Sequence, residues 1–197
     1  MEFVITPGFC PDEHDQVAAL YWQAFGAKLG RVLGPHKRAK AFLCQVMDPE
    51  FALVARNAHG EILGIAGFKT AQGALVGGEY SDLKQFYGDW GGLWRGLLLT
   101  VLERDVEPDI LLMDGICVEA TARGLGLGTA LLETIKQHAR SLGKSAVRLD
   151  VINTNPRAKA LYMRCGFEAT KTENTGLFRF VFRFDSATQM LWHTTKA

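Results

Sequence analysis

The chain has 197 residues, of which 48% are hydrophobic and 22% charged, an ordinary composition for one globular domain with a proper core. A formal net charge of +1 gives no electrostatic case for nucleic acid or an anionic membrane surface as a partner. The apolar runs at 97–102 and 110–113 are too short to cross a bilayer, so no membrane partner is expected.

Residues 2–5 read as a short strand. Pro11 and Asp12 then open a helix with Val17, Leu20, Tyr21 and Ala24 on one face, and Pro35 opens a second with Ala39, Phe42, Leu43 and Val46 at matching intervals. Ala52 to Arg56 and Glu61 to Phe68 read as strands joined by the turn Asn57-Ala58-His59-Gly60, a hairpin by its turn chemistry. The segment 70–109 is the unusual one. Trp90, Leu93, Trp94, Leu97, Leu98, Val101 and Leu102 follow helical spacing and predict an amphipathic helix with a broad apolar face. Gly91, Gly92 and Gly96 weaken its start, each by about 1 kcal/mol relative to Ala. Core packing accounts for such a stripe; the sharper reading makes Tyr80 to Trp94 part of an acceptor pocket or the contact face of a homodimer.

A hydrophobic strand at 112–118 runs into Arg123-Gly124-Leu125-Gly126-Leu127-Gly128, where the next helix opens. That helix turns Leu127, Leu131, Ile135, His138 and Leu142 inward or toward the seam, and Gly143 ends it as a C-cap. His138 reads as a packed residue at the boundary of the core. Its first turn has no Asp or Glu, and its nearest charge is Arg123. Unsatisfied N–H groups already make a helix N-terminus positive, so a cation there makes sense if an anion, commonly phosphate, joins them. The run is not the dinucleotide fingerprint, whose third glycine would fall on Thr129, and no Lys-Ser/Thr pair follows to make a Walker A loop. A tight strand-to-helix turn without a ligand is the plain structural alternative.

The alternating strand at 147–151 is followed by Asn153-Thr154-Asn155-Pro156 and a short helix reaching Leu161-Tyr162, then Gly166-Phe167. Asn155 before Pro156 is a natural N-cap with proline at the first helical position. Leu177 to Phe184 alternates strictly, which predicts a strand with Phe178, Phe180, Phe182 and Phe184 on its core face. Cys10, Cys44, Cys117 and Cys165 are scattered without a CxxC, as expected of free thiols in a cytoplasmic protein, and no basic segment leads a long apolar stretch as a signal peptide would. The five histidines lack ligand spacing, so no metal is expected.

Arg123-x-x-Gly126-x-Gly128 resembles the Gln/Arg-x-x-Gly-x-Gly/Ala pyrophosphate loop of the GNAT superfamily of N-acyltransferases, and the block from Asn153 to Phe167 resembles that family's second signature. The resemblance implies one α/β domain over residues 1–197, a mixed, strongly twisted sheet with helices on both faces. It implies acetyl-CoA as co-substrate, lying across a splay between the strands at 112–118 and 147–152. Ile116, Cys117 and Val118 would then offer backbone groups to the pantetheine arm and thioester oxygen. Gly124, Leu125, Gly126, Leu127, Gly128 and Thr129 would cradle the pyrophosphate by their N–H groups with Arg123 nearby, and Asn155 would also contact the cofactor.

Tyr162 would be the general acid, because a phenol with a reference pKa near 10 can protonate a departing thiolate. Cys117 is not expected to carry the acyl group, since the family transfers directly to the amine and no His lies close in sequence to activate a thiol. Positions used for a base in some members fall on Leu112, which cannot act, and Asp114, which shares its face; Glu119 is the alternative. Asp114 would relay a proton or anchor a cationic acceptor. The expected activity is N-acetyltransfer to a small-molecule amine. The rivals are a protein acetyltransferase for N-terminal or lysine amines and a non-catalytic acyl-CoA sensor, which would have no use for Tyr162.

Overall fold

The computed structural model describes residues 2–194. In chain order these form β1 (Phe3–Pro7), α1 (His14–Leu33), α2 (His36–Val46), β2 (Ala52–Asn57), β3 (Ile62–Thr70), the two-residue β4 (Gly73–Ala74), α3 (Tyr80–Thr100) and β5 (Ile110–Val118). Then come α4 (Leu127–Ser141), β6 (Ala146–Ile152), α5 (Pro156–Arg164), β7 (Glu168–Asn174), the single turn α6 (Arg179–Phe182) and β8 (Ser186–His193). One sheet runs in the order β1-β2-β3-β5-β6-β8-β7, with β4 paired to the end of β3. Every pairing is antiparallel except β5 with β6.

Period-two side chains divide the core between the two faces of this sheet. Leu53 and Ala55 pack with Leu131 and Ile135 of α4, while their neighbours Ala52 and Val54 pack with Val17 and Leu43 of α1 and α2. Helices therefore cover both faces, as the GNAT resemblance implies. Leu127, Leu131, Leu132 and Ile135 are all fully buried, and each such side chain contributes about 2 kcal/mol by leaving water. Buried Lys136 adds a polar tie: its ammonium donates to Glu133 Oε1 at 2.7 Å and to the Cys165 carbonyl, joining α4 to the end of α5. The hairpin lies where its turn chemistry placed it, with Gly60 at φ 83° and the Asn57 side chain accepting from the N–H groups of His59 and Glu61.

Two expectations fail. The apolar stripe is core only at its end, where Leu98, Val101 and Leu102 are part-buried; Trp90 is 84% exposed and Leu97 72%, and Leu93 and Trp94 are exposed with them. The helix breaks at Gly88, which adopts φ 74° and ψ 174°, and its second half folds back against the first. A Cβ on Gly92 would lie 2.9 Å from the Lys84 backbone nitrogen, so that glycine permits the contact. The break resets the helical phase, and the inward face becomes Leu83 and Tyr87 with part-buried Leu99 and Leu102. Arg95 locks the arrangement, stacked 4.2 Å over Tyr87 and donating to the Val32 carbonyl at 2.7 Å.

The second failure is Leu177 to Phe184, which is not a strand but the connection between β7 and β8, closed where the Thr175 N–H donates to the Asp185 carbonyl. Within it α6 turns Phe182 inward, and Phe184 follows, both against Val32 and Ala187; Phe178 and Phe180 stay exposed. Phe178 and Phe182 stand four apart, so the same aromatics satisfy one helical turn as well as a strand.

Candidate active site

The parallel ladder between β5 and β6 stops early. Ile110, Leu111 and Leu112 pair with Ala146, Val147 and Arg148, and beyond them the two strands separate. On its other side β5 stays bonded to β3 through Val118, and β6 stays bonded to β8 through Ile152. The expected splay is therefore present, and from Met113 to Val118 one edge of β5 faces a gap in place of a strand. Ile116, Cys117 and Val118 lie on that edge. Cys117 is buried, and burial, then the Asp114 charge, push its thiol pKa up. A thiol held protonated is a poor nucleophile.

At the far end of this edge the chain makes a short 3-10 turn at Ala120–Ala122 and enters the glycine run. Gly124 and Gly126 have φ 82° and 83°, and a Cβ on either would meet nothing within 4 Å, so their free sides open to solvent. Gly126 caps α4 in the left-handed conformation without any side-chain cap, and the first turn holds no carboxylate. The N–H groups of Leu127, Gly128 and Thr129 point out of the helix end unpaired by its ladder. Arg123 folds back, its Nε donating to the Val118 carbonyl at 3.1 Å, which fixes the guanidinium beside the same opening. Gly128 has a packing role as well: a Cβ there would lie 3.0 Å from Leu161 of α5. An uncapped helix end, an open glycine turn and a splayed strand edge together fit an extended ligand with a phosphate group.

On the opposite wall, Asn155 caps α5 by accepting from the Ala158 N–H at 3.2 Å. Tyr162, on the next turns, is only 6% exposed and packs its ring 6.1 Å from Phe167. Burial, then the nearby Cys117, raise its pKa above the ordinary phenol value, so it stays protonated at neutral pH. Among the described residues no hydrogen bond occupies its hydroxyl, yet the oxygen is not sealed from solvent.

A cavity of about 260 Å³ opens beside the root of the gap, walled by α1, α2, α3, the end of β3, the β4–α3 connection and β5. Asp114 lines it and stands at a bulge: the register runs from Gly67↔Gly115 to Phe68↔Met113, leaving Asp114 opposite no residue of β3. Leu112 lines the same cavity, as their shared face predicts, and Met113 does too because the bulge breaks the alternation. The Asp114 side chain is accessible to solvent but ringed by protein, and that low-dielectric setting raises its pKa, with Lys28 and Lys69 pulling it back down. Glu119 is placed elsewhere. It accepts from the Ala120 N–H and faces a second cavity of about 230 Å³ against α1, with Gln16 and Gln23.

Several cavity residues escape a reading of the sequence. Lys28 interrupts the apolar face of α1, seven residues after Tyr21 and three after Phe25, and that misfit was the available signal. Lys69, Arg104 and Asp150 carry no signal, because only folding brings the end of β3, the α3–β5 connection and β6 together. From the 70–109 segment the lining comes from the stretch Ala74 to Gly78, from Leu83 and from Leu99 to Arg104, and not from Tyr80, Trp90 or Trp94. Among the described residues no group of His, Cys, Asp and Glu is placed to hold a metal ion, and no helix is long and apolar enough to cross a membrane.

The chain resembles the solved N-acetyltransferase from Staphylococcus aureus Mu50 with a TM-score of 0.68, at 14% identity over 96% of this chain and 100% of that one. A GCN5-related N-acetyltransferase from Kribbella flavida aligns with a TM-score of 0.65, at 16% identity over 98% of both chains. The ribosomal-protein-S18-alanine N-acetyltransferase from Escherichia coli follows at 0.60, with 16% identity over 100% of this chain and 96% of that one. At such identities the likeness is one of fold. In sequence, 66 residues are 35% identical to glucosamine 6-phosphate N-acetyltransferase 1 of Oryza sativa subsp. japonica, over 34% of this chain and 38% of that relative's length. The Acetyltransferase (GNAT) family profile matches residues 14–167, from the start of α1 to the Phe167 that follows α5, and the chain belongs to that family.

Proposed function

We propose that this protein is an acetyl-CoA-dependent N-acetyltransferase that passes the acetyl group directly to the amine of a small molecule. One observation carries the reading. The unpaired edge of β5 runs about 16 Å from Met113 to Val118, at the rise per residue of a strand, with the Asp114 cavity at its root and, past a short turn, the uncapped end of α4 beyond it. A thioester arm laid on that edge has its phosphates at the helix end, where Leu127, Gly128 and Thr129 donate and Arg123 supplies charge. Ile116, Cys117 and Val118 bind the arm by their backbone, and Gly124, Leu125 and Gly126 shape the turn around the pyrophosphate. Asn155 contacts the cofactor from the facing wall.

The amine nitrogen attacks the thioester carbonyl carbon, the carbon–sulfur bond breaks, the sulfur takes a proton and the nitrogen gives one up. Tyr162 supplies the proton to sulfur, its phenol kept protonated by burial. Asp114, at the root of the gap, relays the amine proton; its raised pKa makes it a better base than a solvated carboxylate. A cavity walled by three helices suits a small acceptor better than a protein chain end, and the rice relative carries a small amine in its name. Four free cysteines agree with a reducing cytoplasm as the site of action.

The test is thiol release from acetyl-CoA across a panel of small amines and peptide N-termini, with thermal stabilisation by acetyl-CoA in parallel. Turnover of small amines is expected. Stabilisation without turnover of any amine would favour an acyl-CoA sensor, and turnover of peptides alone would favour the protein acetyltransferase.

A further inference from the structure

Three cations, Lys28, Lys69 and Arg104, and three carboxylates, Glu103, Asp114 and Asp150, line the cavity, but only Arg104 and Asp150 meet directly. Arg104 is satisfied, its Nε 2.9 Å from Asp150 Oδ2. Arg148 reaches the same Asp150 and Glu107, each at 3.5 Å. Lys28 and Lys69 line the same space, and among the described residues neither forms a salt bridge. Two carboxylates of the lining remain: Asp114, which both lysines influence from a distance, and Glu103, which is exposed to solvent.

Lys28 is the more constrained of the two. It projects from α1 between Phe25 and Leu29, with its ammonium 5.7 Å from the centre of the Phe184 ring. Burial lowers its pKa, while Asp114 and Asp150 act from a distance in the other direction without contacting it. Lys69 fixes the direction in which charge is arranged. It stands opposite Leu112 in the β3–β5 register, so it lies on the side of Asp114 away from Val118 and the phosphate-binding end. An acceptor in the cavity thus meets a carboxylate at the gap and cations behind it.

We propose that the acceptor carries an anionic oxygen group, carboxylate or phosphate, in addition to its amine, and that Lys28 and Lys69 hold that anion while Asp114 faces the amine. The proposal rests on the acetyltransferase reading above and sharpens its substrate class. The anion gives the lysines the direct partner that neither has within the cavity, and the amine is left pointing at the thioester. Were the lysines only counter-ions for Asp114, one in direct contact would serve, and neither makes that contact. Tyr21, Phe25, Leu83 and Leu99 pack against the acceptor's carbon skeleton.

The experiment compares matched acceptors that differ in the anion: glucosamine 6-phosphate against glucosamine, and γ-aminobutyrate against its amide, with tryptamine as an apolar amine. Thiol release from acetyl-CoA is followed in wild type, Lys28→Met, Lys69→Met and Lys28→Arg. The anionic member of at least one pair should have the higher kcat/KM by about 10-fold, the scale of one charge-assisted hydrogen bond. Each Met variant should erase the preference through KM with kcat little changed, and Lys28→Arg should keep most of it. Which pair responds separates phosphate from carboxylate. Equal or better use of the neutral members or of tryptamine overturns the proposal, as does a preference that survives both Met substitutions. Lys69 lies at a strand end, so its variant reports even if Lys28→Met does not fold. Acetyl-CoA that fails to raise the Tm of wild type refutes the acetyltransferase reading itself. Stabilisation with no anionic amine accepted refutes only the anion assignment.

Discussion

Gly126 and Gly60 form a natural control pair for the phosphate loop. Both have φ 83°, and an added Cβ at either would meet nothing within 4 Å. The alanine variants should therefore carry the same intrinsic penalty, about 1 kcal/mol for an L-residue held in the left-handed region. For a chain of this size that is a fall in Tm of about 2–4 °C. Saturation with acetyl-CoA at about 100 times Kd should add about 2.7 kcal/mol to the wild-type fold, or about 5–10 °C. Gly60 lies in the β2–β3 turn, away from the gap, so Gly60→Ala should keep that whole increment. Gly126→Ala places a methyl on the open side of the helix end, where the pyrophosphate approaches, and should lose most of it; Gly126→Glu adds a negative charge and should abolish it. Differential scanning fluorimetry with and without acetyl-CoA separates the two contributions. Equal ligand increments in folded Gly60→Ala and Gly126→Ala would refute the loop assignment.

Tyr162→Phe should leave acetyl-CoA stabilisation near wild type and lower kcat by about 10²-fold; an unchanged kcat would return Tyr162 to a packing role. Asp114→Asn bears on stability and on rate. Because burial raises the carboxyl's native pKa, ionising Asp114 opposes folding as pH climbs past its unfolded value of about 3.9. The Asn variant should melt higher than wild type at pH 7, and the advantage should vanish below about pH 3.9, where both side chains are neutral. Its kcat/KM should fall most below the acceptor amine's pKa and recover at high pH. A KM increase with kcat unchanged would mark an anchor for the acceptor cation, and a wild-type pH–rate profile would shift the base to Glu119. Lys136→Ala strands the Cys165 carbonyl and empties a buried site, so it should lower chemical-denaturation stability by about 2 kcal/mol; a loss below about 0.5 kcal/mol would mean the tie contributes nothing.

The two signatures were legible in the chain because their physics is local. A left-handed glycine, an uncapped helix start and an Asn-Pro cap are decided by residues within one turn, and the structure places Gly126, Asn155 and Tyr162 on the elements those spacings predict. The hairpin, α1, α2, α4 and the early strands were readable for the same reason, each by its own period and breakers. What the sequence left open depends on distant partners. The stripe on α3 is as apolar as a core helix, but a break at Gly88 and a close approach at Gly92 set which side faces inward. The aromatics at 178–184 fit a strand or a helical turn equally, and the short reach from β7 back to β8 chose the turn. The cavity is wholly a product of tertiary structure. Lys28, Lys69, Asp114 and Asp150 come from four elements, and only the early end of the β5–β6 ladder and the bulge at Asp114 bring their charges around one space. Local interactions act over a few residues and are written in the sequence directly, whereas a charge acquires its partners and its dielectric setting only when the chain has closed around it.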